Sequence, residues 1–473
     1  MRQGAWLEVG RLDAGKMPRM KSLYAVAAVA SLLLANCRSS APGGAARPTA
    51  NRGVIALPLD PARTAPLLAR LDAALPAERL IEWRRHLHQH PELSNQEVET
   101  AKFVAARLRE MGLEPKTGIA RHGVTALIRG GTPGPTVALR ADMDALPVTE
   151  EVDLPFKSTA TGTFEGKTVG VMHACGHDAH TAMSLAAAQA LVAVRDELPG
   201  DVLLIFQPAE ESVPESERPA GAEAMVLAGV LDQPKVSAIF GLHVMAGTKS
   251  GRIGWRRGPM MAAADRFEIT VEGRQTHGSK PWHGVDPIVV GSQIVTALQT
   301  IVARQIDIVR EPAVVTVGQF ESGVRNNIIP ERARLVGTVR TFADDMQSDI
   351  HDRIRRTAEE TAAASGAKAH VVIERGYPVT ANDAALVDQM IPTLERLAGA
   401  DVFETRKVTG AEDFSFYARR IPAMFVFLGI TPEPKLATAD SNHSPRFEVD
   451  ESALPRGALA LAHLAVDWLH ASR

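Results

Sequence analysis

The stretch Asp201-Val-Leu-Leu-Ile-Phe-Gln-Pro-Ala-Glu-Glu211 decides the fold class. Its five consecutive apolar residues, Val202–Phe206, have the length of a strand buried on both faces, and two carboxylates follow within a few residues. The arrangement recurs along the chain. Thr136–Arg140 precedes Asp142 and Asp144, Ser237–Leu242 precedes His243, and Ala423–Leu428 is a further run of strand length. Segments of helical periodicity separate these runs from Ala73 onward, which predicts an α/β fold around a largely parallel central sheet. Ligands of open α/β sheets gather at the carboxyl ends of strands, so these polar groups are expected to converge.

The middle of the chain has a different rhythm. Arg266–Val271 reads as a strand, Pro287–Arg304 as a helix, Ala313–Phe320 and Ala333–Arg340 as strands, Asp344–Ala364 as a helix and Ala369–Glu374 as a strand. The order β-α-β-β-α-β is that of the ferredoxin-like split unit. Because α/β alternation resumes after it, residues 262–372 read as an insertion into a discontinuous larger domain of residues 73–261 and 373–473. Length points the same way: 473 residues with 45% hydrophobic content exceed the roughly 250–300 at which one core stops growing. No repeat at a solenoid period is visible. Lys plus Arg (52) nearly balance Asp plus Glu (55), and no basic block is available to neutralise a run of phosphates, so nucleic acid is excluded as a partner.

Three strings carry chemistry: His173-Ala-Cys175-Gly-His177-Asp178-Ala-His180, Gln207-Pro-Ala-Glu210-Glu211 and Asn442-His443-Ser444-Pro445. In the first, a glycine between Cys175 and His177 lets the backbone aim both side chains at one point, as metal ligation requires. By itself the string also fits a buried thiol, a Cys/His nucleophile pair or a surface cluster. Adjacent carboxylates such as Glu210 and Glu211 repel each other in a low-dielectric site unless a cation or proton compensates. One can then hold a metal while the other takes a proton from the attacking water. The competing reading is a solvated acidic turn, in keeping with nearby Glu215 and Glu217. Only two cysteines occur, Cys37 and Cys175, in surroundings too different for a disulfide framework.

Together with Arg85-His-Leu-His88-Gln-His90-Pro-Glu92-Leu-Ser, Ala138-Leu-Arg-Ala-Asp142-Met-Asp144-Ala-Leu-Pro, Gly241-Leu-His243, Asn326-Asn327-Ile-Ile-Pro330 and Asn442-His-Ser-Pro-Arg-Phe, these strings give the chain a specific likeness. From about Arg84 to the carboxyl end it resembles the M20 metallopeptidase family, and most closely its amidohydrolase branch of hippurate, auxin-conjugate and N-acyl amino acid hydrolases. The resemblance implies a zinc-peptidase-like catalytic domain, an inserted ferredoxin-like lid and dimerisation domain, and two divalent metal ions. Cys175 is then the shared ligand, His177, Glu211, His243 and His443 complete the two coordination spheres, and Glu210 is the general base. Much of the wider family has His-x-Asp where this chain has Asp142-Met143-Asp144, and a bridging Asp at Cys175. Thiolate and imidazole suit zinc, whereas the branch is associated with manganese, nickel or cobalt, so the metal stays open.

Asp142 and Asp144 read as carboxylates that orient imidazoles, with helix-capping or structural roles as the alternative. His180 reads as the start of a helix rather than a ligand. By resemblance, His277 reaches the partner subunit's site in a homodimer and stabilises the oxyanion of the tetrahedral intermediate. Asn327 and Arg340 are candidates for the substrate carboxylate, and Glu412 for substrate positioning. The expected reaction is hydrolysis of the amide bond of N-acyl amino acids. A dipeptidase or aminopeptidase on the same fold is the alternative, and a non-catalytic binding lipoprotein a remote one.

The amino end reads as an address. Lys21 followed by the apolar run Leu23–Ala35, with Met17 or Met20 as alternative starts, has the order of a secretory signal and is too short to span a bilayer. Leu34-Ala35-Asn36-Cys37 resembles a bacterial lipoprotein box, although Asn36 departs from the small residue usual there. Residues 1–37 are therefore expected to be a signal peptide, with acylation of Cys37, plain export, or a cytoplasmic protein with an over-extended start as the three readings. Residues 38–72 read as a tether, rich in Ala, Pro, Gly and Ser at its start. The expected location is periplasmic, with membrane attachment through a lipid on Cys37.

Overall fold

The computed structural model describes residues 59–211 and 213–472, so the expected signal peptide, Cys37 and the first part of the expected tether lie outside the described residues. Helices α1 (Pro61–Ala73), α2 (Ala77–Gln89) and α3 (Val98–Glu110) come first, then strands β1 (Lys116–Ile119), β2 (Gly123–Ile128) and β3 (Thr132–Asp142). The hairpin β4 (Thr161–Phe164) and β5 (Lys167–Gly170) precedes α4 (His177–Ala193), β6 (Pro199–Gln207) and α5 (Gly221–Leu227). Strands β7 (Val236–Lys249), β8 (Ile253–Trp255) and β9 (Gly258–Met261) follow. The middle supplies β10 (Ala263–Glu272), β11 (Thr276–His277), α6 (Pro287–Thr300), β12 (Val314–Ser322) and β13 (Ile328–Ile329). It ends with β14 (Arg332–Thr341), α7 (Asp344–Ala364) and β15 (Lys368–Tyr377). Last come β16 (Thr380–Asn382), α8 (Ala384–Ala398), β17 (Val402–Glu404), α9 (Ser415–Ala418), β18 (Ala423–Thr431) and α10 (Leu454–Ala471).

The tether expectation needs correction over residues 61–72, which are helical. Asp60 caps α1 by accepting the Ala62 N–H at 3.2 Å, Pro61 occupies its first turn, and Leu67, Leu68 and Leu71 bury one face. That face packs on α10 and α4, so the folded region begins before residue 73.

Eight strands form the large sheet in the order β1-β2-β6-β3-β7-β18-β8-β17. Its centre is parallel, β6 with β3, β3 with β7 and β7 with β18, while β1, β2 and β8 join antiparallel neighbours. Every residue of β18 is buried, as is β3 from Thr136 to Asp142, because helices cover both sheet faces. The core on one face gathers α2, α4 and α10, and that on the other gathers Met225, Phe414 and Tyr417 against Ile205 and Phe425. Register sets the site: Asp142 pairs with Gln207 on β6, and Arg140 with Gly241 on β7. Asp142, the end of β6 and His243 consequently reach one level of the sheet.

The middle segment builds a four-stranded antiparallel sheet, β12-β14-β10-β15, the strand order of the ferredoxin-like unit. Strict alternation of burial along β10 puts Phe267, Ile269 and Val271 under α6 and α7, beside Ile294, Ile350 and Ile354. The opposite face carries Arg266, Glu268 and Arg334 in ion pairs of 2.7 Å. A boundary at residue 372 falls inside β15, which pairs with β10 as far as Tyr377, with a shift of register after Arg375.

Candidate metal centre and active site

Cys175 and His177 flank Gly176, whose φ of 95° starts α4 with a left-handed turn. A Cβ there would lie 2.3 Å from Val244 Cγ2, so only glycine lets the turn approach β7 this closely. The Cys175 Sγ lies 3.3 Å from His243 Nε2 and 3.2 Å from His443 Nε2. His443 Nε2 is in turn 3.3 Å from Glu211 Oε1. Two trios result, Cys175–His177–His243 and Cys175–Glu211–His443, each with its ligand atoms within 4.8 Å of one another and with Cys175 in common. All five residues expected as ligands thus meet around one thiol.

Neighbours orient each imidazole. His177 Nδ1 donates to Asp144 Oδ1 at 3.1 Å, which turns Nε2 inward, 3.9 Å from both Glu210 Oε2 and Glu211 Oε1. His243 Nδ1 donates to the Val244 carbonyl at 2.7 Å, leaving Nε2 as an electron-pair donor toward Cys175. His443 is exposed and has a φ of 72°, a cost offset by its loop's bonds. Its N–H donates to Ala174 O at 2.7 Å, and Asn442 donates to Cys175 O and Val244 O while accepting from Ala246 N. Asp142 accepts from His180 Nδ1 at 2.6 Å and from Arg140 at 2.7 Å, and its Oδ2 lies 3.8 Å from His177 Nε2. His180 Nε2 accepts the Val244 N–H at 2.8 Å, so both its nitrogens are committed and it braces β7 against α4.

The donors fit a pair of divalent cations. His177 Nε2 is buried without a hydrogen-bond partner among the described residues, an arrangement that costs free energy unless something else engages it, and Glu211 Oε1 beside it faces only the His443 imidazole at 3.3 Å. Burial, reinforced by the charges of Glu211, Glu210 and Asp142, pushes the Cys175 thiol well above its ordinary range. Burial opposes a charge on His177, yet Asp142, Asp144 and Glu211 raise it to about 10. Thiolate, imidazole and carboxylate at shared apices are the ligands such cations take, and positive charge there would draw the thiol down to its ligating form.

Glu210 is fixed by its backbone. Ala209 before it has a φ of 52° and donates its N–H to buried Glu97 Oε1 at 2.7 Å, while Tyr377 at the end of β15 donates its hydroxyl to Glu210 O at 2.6 Å. Burial, then Glu412, Glu211 and Asp413, holds the Glu210 carboxyl well above the usual range. Burial and the Asp144 charge raise Glu97 to about 8. Glu97 and Tyr377 escaped the sequence reading. Glu97 lies just beyond the quoted Pro91-Glu92-Leu-Ser94, in the polar stretch Ser94-Asn-Gln-Glu97 that leads into α3, where no local pattern sets it apart from a solvated carboxylate.

Glu412 requires correction. It is buried, accepts Arg140 Nη2 at 2.9 Å and the Phe414 N–H at 3.0 Å, and so braces the floor of the site instead of facing substrate. Arg140 also engages Gln207 at 2.8 Å and Asp413 at 2.8 Å, tying three distant chain segments beneath the glutamates. His277, Asn327 and Arg340 stay apart from this network. His277, on the β11–β13 ribbon, is exposed and accepts from Ser279, Asn327 is exposed, and the half-buried side chain of Arg340 makes no hydrogen bond or ion pair among the described residues.

The model of Peptidase family M20/M25/M40 matches residues 138–467. Thermostable carboxypeptidase 2 of Saccharolobus solfataricus is 43% identical over 391 residues, 82% of this chain and 95% of its own. N-acetylcysteine deacetylase of Bacillus subtilis is 40% identical over 392 residues, 82% of this chain and 96% of its own. The crystal structure of the Bacillus subtilis YXEP protein, described as a dinuclear metal-binding peptidase from the M20 family, superimposes with a TM-score of 0.70 at 38% identity, over 83% of this chain and 98% of that one. A family match over more than half of the chain and near-complete coverage of such relatives agree with the shared-thiol geometry: the chain belongs to peptidase family M20/M25/M40.

Proposed function

We propose that this metal-dependent amide hydrolase cleaves N-acyl amino acids, with Glu210 as the general base. The observation that carries the reading is the pair of trios sharing Cys175 beside buried Glu210, which belongs to neither trio and lies with His177 and Glu211 in a further group of possible ligands. Divalent cations in the trios would supply Lewis acidity to the substrate carbonyl and lower the proton affinity of the attacking water. Glu210 then takes the water's proton on its carboxylate and passes it to the leaving nitrogen. Cys175, surrounded by His243, His443 and Glu211, serves as a ligand rather than a nucleophile.

Unpaired, half-buried Arg340 supports a substrate with a free carboxylate. The relatives' printed names share that requirement, since a carboxypeptidase and an N-acetylcysteine deacetylase both release an amino acid from an acyl group at its nitrogen. The test is a panel of N-acetyl and N-benzoyl amino acids and free dipeptides, assayed after loading with zinc, manganese, nickel or cobalt. N-acylated substrates should be preferred; faster turnover of substrates with a free α-amino group would favour a dipeptidase or aminopeptidase. Incubation in heavy-oxygen water should label the product acid with no acyl-Cys175 species.

The same proposal includes a homodimer through the four-stranded sheet. Its β12 edge is unpaired, and Trp282, Val309 and Val324 nearby in the chain are exposed apolar side chains. His277 would then act in the partner's site. Export with a lipid on Cys37 also remains our proposal; Cys37→Ser, followed by membrane fractionation, tests it.

A further inference from the structure

A cavity of about 280 Å³ opens between the β4–β5 hairpin and the Glu211–His443 side of the metal centre. Leu93, Leu146, Pro147 and Phe164 give it an apolar lining. Its walls are tied to the site: Leu93 bridges to Ala145, the residue after Asp144, and Leu146 bridges to Met172, just before the Cys175 string. The hairpin has a small core of its own, in which Phe164, Val169 and Ala160 pack on Leu93, Ala145 and Val171. Gly162 brings it in closely, since a Cβ there would lie 2.9 Å from Leu93 Cδ1.

Charge selects which half of a substrate enters. Among the described residues the lining offers no lysine or arginine to a substrate carboxylate, and its own carboxylates are Glu211, assigned above to the metals, Glu217, and Glu165 exposed at the hairpin tip. Nor does Glu217 solicit an ammonium, because it already accepts from Arg121 at 3.1 Å and Asn95 at 2.8 Å. The apolar walls named above therefore favour a neutral, apolar group. The volume lies at the low end of small-molecule pockets, sized for one compact group and too small for a peptide chain.

We propose that this cavity is the acyl pocket, and that the hairpin, through Phe164, selects apolar acyl groups larger than acetyl. The assignment rests on the N-acyl amino acid reading above and adds the identity of the acyl group. The test measures kcat/KM of the metal-loaded enzyme for N-acetyl, N-butanoyl, N-hexanoyl and N-benzoyl derivatives of one amino acid. Wild type should gain roughly fourfold per added methylene until the cavity is full. Phe164→Ala removes a wall and should flatten that slope, whereas Thr163→Trp, at an exposed hairpin position that lines the cavity, should cut the series off at shorter chains. Circular dichroism and metal content establish that the variants are folded and loaded, and the exposed position of Thr163 keeps the test available if Phe164→Ala fails to fold. Hydrolysis of every N-acyl substrate with no dependence on acyl length, or a wild-type slope retained in the folded variants, overturns the pocket and leaves the reaction class standing. Failure to hydrolyse any N-acyl amino acid overturns the underlying reading instead.

Discussion

The two sheets hold their candidate residues in opposite ways. Around the large sheet, nearly every polar side chain of the site is fixed by another: Asp144 holds His177, Asn442 pins the loop of His443, and Arg140 gathers Asp142, Glu412 and Asp413. On the four-stranded sheet and its ribbon, His277 and Asn327 are exposed and the Arg340 side chain makes no direct ion pair among the described residues, feeling Asp265 only at a distance. Preorganisation is thus concentrated where charge must be held before substrate arrives, and the other region leaves groups uncommitted for what binds later. The difference suggests that metal affinity is set within one chain, while turnover also depends on groups that a substrate or second subunit must engage.

The largest effect should come from within the fixed region. Glu210→Gln should lower turnover by about two to four orders of magnitude while metal content stays near wild type. Glu211→Gln should do the reverse to metal content, and an exchange of the two phenotypes, read by metal analysis, would reverse the assignment of base and ligand. His277→Ala probes the uncommitted region, with an expected loss in kcat of about a hundredfold to a thousandfold and little change in KM. Mixing that variant with Glu210→Gln should restore activity if His277 serves the partner's site, because a heterodimer has one site with both groups intact. No recovery despite measured subunit exchange would break the proposed division between the sheets.

Smaller effects sharpen the comparison. Asp144→Asn should weaken metal binding roughly 10–100-fold, as loss of a ligand's orienting carboxylate does, measured by competition with a chromogenic chelator. Asp142→Asn should instead lower thermal stability more than metal affinity, because its partners are His180 and Arg140. The mildest change is expected at the one described hydrogen bond from the four-stranded sheet to Glu210. Tyr377→Phe removes a hydroxyl from the Glu210 carbonyl and should reduce kcat about threefold to tenfold, the worth of one hydrogen bond of about 0.5–1.5 kcal/mol. An unchanged kcat in a correctly folded variant would show that Glu210 is positioned by Glu97 and the large sheet alone.

What the sequence reveals follows the same division. Cys175, His177, Glu210 and Glu211 stand in short strings beside strong strand signals, where local pattern suffices to mark them. The four-stranded sheet is legible because α6 and α7 have helical periodicity and β10 alternates cleanly. Glu97 is different: its partner Ala209 is 112 positions away, and only tertiary folding makes it the support of Glu210. The Arg140–Asp413 pair spans 273 positions, which is why Glu412 reads as a substrate residue when its neighbours are unknown. The helical stretch 61–72 follows a linker-like composition, and its burial depends on α10, at the far end of the chain.

Order of synthesis gives the large sheet a further property. Its last strand to be made, β18, lies inside the sheet, bonded to β7 on one side and β8 on the other. A chain emerging from the ribosome therefore keeps an open slot between β7 and β8, with two unpaired edges, until Thr431 has left the exit tunnel. Cys175, both glutamates and His243 are all present by then, yet His443 follows later still. A chain that stops short of β18 thus exposes two unpaired strand edges, and its site lacks one candidate ligand until His443 has been made.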